Sequence, residues 1–217
     1  MPRGRLIVLE GPEGVGKSTQ HRLLADHLAA RGHDVVPLRE PGGTPVGDVI
    51  RRLLLDPLSD IVPTAEALLY MASRAQLVES AIVPALARGA TVLLDRFFLA
   101  TYAYQGSGRG IPADALAAVN RLATAGLAPD LTLLLTLPVK EGLARAARRG
   151  GHDRMERVEI AFHERVAGAF TTFADPAWQA GHPECGPIVL VDASGTEAEV
   201  LERLIGALRR HWPESFA

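Results

Sequence analysis

The chain has 217 residues, 47% of them hydrophobic and 22% charged, a balance that excludes wholesale disorder and suits one domain with a substantial core. Its 23 basic and 25 acidic residues leave a formal net charge of −2, which excludes nucleic-acid binding through bulk charge but permits a local basic pocket. The single cysteine, Cys185, excludes an internal disulfide and a cysteine-rich zinc site.

Residues 5–10 read as a short buried strand, with four consecutive apolar residues bounded by turn signals. That run is too short for the apolar part of a secretory signal, and no stretch approaches the roughly 20 residues of a membrane span. A cytoplasmic protein without a membrane partner is expected. Residues 16–31 read as a helix with Leu23, Leu24 and Leu28 on one face, closing at Gly32. A second strand follows at Val35–Arg39, then helices over 46–55 and 64–88, and a third strand at Thr91–Asp95. A helix over 113–125, a strand over 130–137 and helices over 139–149 and 154–173 come next. The stretch 175–187 is rich in Pro and Gly and reads as a flexible surface loop, before a fifth strand at Ile188–Asp192 and a last helix at Glu197–His211. Near-continuously apolar strands separated by helices imply an α/β fold: a doubly wound, five-stranded parallel sheet with helices on both faces, in one domain over 1–217.

Gly11-Pro12-Glu13-Gly14-Val15-Gly16-Lys17-Ser18 matches G-x-x-x-x-G-K-[ST] at every fixed position, between a predicted strand and a predicted helix. The glycines let backbone N–H groups turn inward as an anion cradle, backed by the positive end of the following helix. Lys17 would reach the β- and γ-phosphates, and Ser18 would offer its hydroxyl to Mg²⁺. This turn therefore predicts binding of a nucleoside triphosphate. Only two of the 23 basic residues are lysines, Lys17 and Lys140. Asp95 ends an apolar strand, where a carboxylate can hold magnesium directly or through water.

Other features point to a second substrate. Glu13 puts an acid beside the phosphates, unfavourable unless it hydrogen-bonds something specific. Tyr70 and Arg74 are four apart and share a helix face. Arg145, Arg148, Arg149, Arg154 and Arg157 fall within thirteen residues that hold only two acids, Asp153 and Glu156.

These features together resemble the bacterial thymidylate kinases. The resemblance is carried by Glu10-Gly-Pro-Glu-Gly-Val-Gly-Lys-Ser-Thr19, Arg39-Glu-Pro-Gly-Gly-Thr44, Leu68-Leu-Tyr-Met-Ala-Ser-Arg74, the run from Asp95 to Gly106, Gly108-Arg-Gly-Ile111, Pro129-Asp-Leu131 and Asp153-Arg-Met-Glu156, in family order. Val191-Asp-Ala-Ser194 is similar to the family's adenine-side loop. It implies a nucleoside-monophosphate-kinase type of P-loop fold, with ATP on residues Gly11 to Thr19 and a short arginine-rich lid over about 139–157. It implies ATP and dTMP as substrates, dTDP and ADP as products, Mg²⁺ held through Ser18 and Asp95, and a homodimer.

Residue by residue, the resemblance gives Arg51 and Arg96 the acceptor phosphate, because guanidinium forks match phosphate oxygens. Tyr70 would stack on the pyrimidine and Arg74 would donate to thymine O4, where cytosine carries a donor of its own. Thr101 and Gln105 would make polar contacts near the base, Tyr104 would crowd the 2′ position, and Glu13 would meet the 3′-hydroxyl. Glu40 either orders water or phosphate or only fixes the turn at Pro41-Gly42-Gly43. Lys17, Asp95, Arg96, Arg149 and Arg154 form the expected catalytic set, with Arg145, Arg148 and Arg149 competing for one lid role. Three positions depart from the family's usual residues: Phe97 for Tyr or His, Ala100 for Ser, and Tyr70 for Phe. Two rival readings are another nucleotide or deoxynucleoside kinase and a non-catalytic P-loop regulator; the latter has no reason to carry Asp95-Arg96 with Tyr104-Gln105.

Overall fold

The computed structural model describes residues 3–138, 140–142, 144–145, 154–155 and 158–216. Five strands, β1 (Leu6–Glu10), β2 (Val35–Arg39), β3 (Thr91–Asp95), β4 (Leu131–Thr136) and β5 (Ile188–Asp192), pair in parallel in the order β2-β3-β1-β4-β5. Successive side chains of a strand point to opposite faces. Leu6 and Val8 of β1 accordingly enter one core and Ile7 and Leu9 the other. Both faces are thus covered, which is why the strands read as unbroken apolar runs.

One core lies under α1 (Lys17–Ala29) and the C-terminal helix. The other lies under the long helical rod from Pro63 to Ala87 and the helix near residue 165. Helix α2 (Pro45–Leu55) starts at Thr44, whose hydroxyl accepts the Gly47 N–H at 2.9 Å. The rod joins α3 (Pro63–Leu77) to α4 (Val83–Ala87) through a π-turn at Val78–Ile82. Pro84 lacks an N–H and its ring clashes with the preceding turn, so the ladder opens there. After β3 come the short α5 (Phe98–Thr101) and a second π-turn, Tyr102–Gly108, then α6 (Ala113–Thr124). Chain order finishes with α7 (Ile160–Thr172), α8 (Pro176–Ala180), a 3₁₀ turn at Pro183–Cys185 and α9 (Glu197–His211).

The helix expected over 154–173 begins only at Ile160, because Arg154 and Met155 form a turn tied to α2: the Arg154 N–H donates to the Leu55 carbonyl at 3.0 Å. The expected loop at 175–187 is ordered. Asp175 caps α8 by accepting the Ala177 N–H at 2.8 Å, Trp178 stacks on His182 at 3.8 Å, and the Tyr102 hydroxyl donates to Glu184 at 2.5 Å. Asp followed by Pro at the first helical position is a helix start, a signal that Pro and Gly content alone conceals. Of the expected helix over 139–149, residues 140–142 and 144–145 are helical. Arg148, Arg149, Asp153, Glu156 and Arg157, and with them most of the expected lid, lie outside the described residues. Among the described residues, no helix is long and apolar enough to cross a membrane.

Candidate active site

β1 and β3 are neighbours with Leu9 opposite Asp95, so the glycine turn after β1 and the Asp95-Arg96 turn after β3 open at the same sheet edge. They form one wall of a cleft of about 340 Å³. Glu13, Lys17, Ser18, Glu40, Arg51, Tyr70, Arg74, Asp95, Arg96, Thr101, Tyr104 and Gln105 all line this cleft, so residues from five separated segments converge. Ala100, one of the three departures from the family's usual residues, lines it as well, and so do Arg39, Leu55 and Met155, which were not expected there.

Gly16 precedes α1 with φ of 87°, a left-handed conformation that favours glycine. At Gly14 a Cβ would lie 1.9 Å from the Gly142 carbonyl oxygen, so only glycine lets that segment close on the turn. Lys17 is buried, its Nζ donating to the carbonyls of Gly11 at 2.7 Å and Pro12 at 2.8 Å. Burial, and next the Arg96 guanidinium, pull its pKa down to about 7. Two cations, one buried and one half-buried, thus share one corner of the cleft, a site suited to a polyanion.

The Ser18 hydroxyl donates to Asp95 Oδ2 at 3.1 Å, while Asp95 Oδ1 is buried with no protein partner. Among the described residues no cluster of three or more His, Cys, Asp or Glu is arranged to hold a metal ion. A hydroxyl and one carboxylate with an unused oxygen, completed by substrate phosphates, are the donors magnesium takes in phosphoryl-transfer sites. The residues present fit that ion.

Arg96 has φ of 72°, outside the usual range for a residue with a side chain. The strain is held by Glu10, fully buried at the end of β1, whose Oε1 accepts the N–H groups of Phe97 at 2.7 Å and Ala100 at 3.1 Å. Burial pushes the Glu10 carboxyl up, while Arg96 pulls it back. The Arg96 guanidinium lies 5.0 Å from the Tyr104 ring centroid, and its Nη1 is buried without a hydrogen-bond partner. Tyr104 in turn donates to Glu13 Oε1 at 3.2 Å, and His163 Nδ1 is 3.7 Å from Glu13 Oε2. These partners account for an acid inside the phosphate turn. On α2, Arg51 donates to the Pro41 carbonyl at 2.9 Å.

Arg74 is 2% exposed and its five N–H groups all have partners. Nε and Nη2 donate to Glu40 Oε2 at 2.8 and 2.6 Å, Nη2 to the Phe97 carbonyl at 2.8 Å, and Nη1 to Thr101 at 3.0 Å and to Asn120 Oδ1. Of the two roles open for Glu40, neither describes this bond: its carboxylate fixes Arg74. Phe97 lies beneath the guanidinium, 4.7 Å from its ring centroid, fully buried and away from the cleft lining, whereas Ala100 does line it. Burial pushes the Tyr70 hydroxyl up to about 12. Arg154 does not line the cleft; its guanidinium donates to Glu66 at 2.7 Å and to the Leu54 carbonyl at 2.8 Å.

The family model for thymidylate kinase matches residues 9–180. The thymidylate kinase of Deinococcus radiodurans is 47% identical over 200 residues, covering 92% of this chain and 94% of the relative. Those of Pseudomonas fluorescens (strain Pf0-1) and Chlorobaculum parvum are 49% identical over 194 residues and 43% over 213, covering 88% and 94% of this chain and 92% and 95% of the relatives. The chain belongs to the thymidylate kinase family. It is a dTMP kinase by that membership, an enzyme that phosphorylates dTMP to dTDP with ATP.

Three residues of this thymidylate kinase site escaped the sequence reading: Glu10, Glu66 and Asn120. Glu66 carries a legible signal, since 66, 70 and 74 are spaced by four, which puts it on the same face of α3 as Tyr70 and Arg74. Glu10 closes an apolar strand directly before the phosphate turn, a position as telling as that of Asp95. Asn120 has no local signal, because its partner Arg74 is 46 residues away.

Proposed function

We propose that this chain transfers the γ-phosphoryl group of ATP to dTMP in line, with the donor on the turn Gly11–Thr19 and the acceptor against Arg51 and Arg96. The observation that carries this division is a pair of cations from neighbouring strand ends, the buried Lys17 and the half-buried Arg96, whose Nη1 is buried and without a hydrogen-bond partner. The acceptor oxygen belongs to an ionised phosphate, so no strong general base is required; bringing two polyanions together is the difficulty. Lys17 exchanges the carbonyls of Gly11 and Pro12 for phosphate oxygens, and Arg96 and Arg51 hold the acceptor phosphate. Ser18 and Asp95 would hold Mg²⁺, which when bound offsets phosphate charge and orients the donor. Arg149 would add positive charge at the transferring group. Tyr70 stacks on thymine, and Arg74 reaches O4 by releasing an Nη1 N–H from Thr101. Gln105 stays near the base, Glu13 with Tyr104 meets the sugar, and Tyr104 excludes a 2′-hydroxyl.

The proposal extends to a cytoplasmic homodimer. Val46, Val49 and Leu53, spaced to share one face of α2, are each about half exposed, as is Leu68 on α3, against which α2 packs. Such an apolar stripe supports a second copy as its cover; light scattering at micromolar concentration should give twice the chain mass.

A coupled assay of ADP release with dTMP, dUMP, dCMP, dGMP and thymidine tests the acceptor. dTMP should give the highest kcat/KM. Turnover of thymidine without turnover of dTMP would sink the assignment.

A further inference from the structure

Glu66 sits on α3 one turn before Tyr70 and is fully buried, yet four N–H donors converge on its carboxylate. Gln105 Nε2 donates to Oε1 at 3.0 Å, Arg109 donates Nε to Oε1 at 3.2 Å and Nη2 to Oε2 at 2.9 Å, and Arg154 Nη2 donates to Oε2 at 2.7 Å. Burial pushes this carboxyl up, but the donors from Arg109, Gln105 and Arg154 outweigh it and leave the group below its ordinary value, hence ionised. Arg154 also grips the C-terminal end of α2, through Leu54 and Leu55. Arg109 lies 4.7 Å from the Phe162 ring centroid on α7. One carboxylate therefore ties together α2, α3, the second π-turn and the turn at Arg154 and Met155. Leu55, Tyr70, Gln105 and Met155, all next to these bonds, line the cleft, while Glu66 does not.

A buried ion cluster gives little net stability, since desolvation of three ions offsets their attraction. What it does give is geometry. The Gln105 side chain is 2% exposed, and Glu66 is the acceptor that its amide donates to. We propose that Glu66 is a positioning residue for the phosphoryl transfer: its carboxylate fixes the Gln105 amide and the Arg154 guanidinium, so that dTMP meets an acceptor wall already in place. The inference rests on the dTMP-kinase reading.

The test is steady-state kinetics of wild type, Glu66→Gln and Glu66→Gln/Arg109→Gln, with a thermal melt of each. The double variant restores the native local charge of one carboxylate against two guanidiniums, a net of one positive. Glu66→Gln should raise KM for dTMP about tenfold, within the loss that a misplaced group can cause, while KM for ATP stays within about twofold. The double variant should melt closer to wild type with its dTMP KM still raised; if Glu66→Gln fails to fold, that KM alone decides. A dTMP KM within twofold of wild type, or one that recovers together with the melting temperature, overturns the inference. A wild-type enzyme inactive on dTMP overturns instead the reading beneath it.

Discussion

At the glycine turn, Lys17 is held by two neutral backbone carbonyls, whereas on the acceptor wall Arg74 is held by a carboxylate, a hydroxyl, an amide and a carbonyl. Glu66 repeats the second pattern with two arginines and Gln105. The side proposed for the donor thus carries a cation that burial depresses in pKa and whose two partners are uncharged, so that phosphate oxygens can replace them. On the wall proposed for the base, Arg74 is instead paired with the buried Glu40 carboxylate before any nucleotide arrives. A phosphate turn built from backbone can adapt to a chain of phosphates of one fixed chemistry. A wall that must distinguish one base from another gains from rigidity, because a misplaced donor costs discrimination as well as rate.

The largest effect expected from this contrast is on stability. Arg74→Met leaves Glu40 buried without its partner, which should cost about 3–5 kcal/mol. Adding Glu40→Met should restore most of that, since replacing a whole buried pair by apolar groups is often near neutral. Denaturant midpoints of the three proteins measure it; equal midpoints for Arg74→Met and wild type would mean the wall is not locked as described. The same pairing makes loss of activity in Arg74→Met an ambiguous sign of thymine recognition, so acceptor preference has to be read from the substrate series.

Lys17→Ala should behave in the opposite manner. Its kcat should fall roughly 10²–10³-fold, the scale for losing one donor to developing charge. Its melting temperature should hold or rise, because the variant removes a buried cation that Arg96 repels. A variant that loses activity only by unfolding would erase the contrast between the two sides.

The same difference explains what could be read in advance. The phosphate turn is contiguous, and its strand, glycines, lysine and helix specify one another within ten residues, so its place in the fold was legible. So was the sheet, because each strand is buried on both faces and no alternating pattern competes. Tyr70, Arg74 and Arg96 were legible as members of a resembling family, but their partners were not. Glu40 pairs with a residue 34 positions away and Glu66 with ones 39, 43 and 88 away. A buried carboxylate in an apolar helix looks like a solvated one until folding brings arginines to it. Arg154 shows the converse: an arginine in a basic stretch has the composition of a phosphate ligand, and only the position of Glu66 reveals where its guanidinium is bound.

The adaptable side also has a consequence in protons. A lysine lowered from 10.5 to about 7 by burial and by Arg96 is half protonated near neutrality, and phosphate oxygens beside it would return it to the charged form. In the free protein this group disfavours folding below about pH 7, and that disfavour is relieved as pH rises from about 7 towards 10.5, since the unfolded chain then binds the extra proton. Binding of ATP reverses the shift, so it should draw in protons: close to one at pH 8, about half of one at pH 7 and about a tenth at pH 6. Calorimetry of ATP binding in buffers of different ionisation enthalpy reads that number directly, with phosphate titration of ATP itself subtracted. Arg74→Met, on the locked wall, should leave the uptake unchanged. Uptake near zero at pH 8 would show Lys17 to be already charged in the free protein, and the donor side would then be as fixed as the acceptor side.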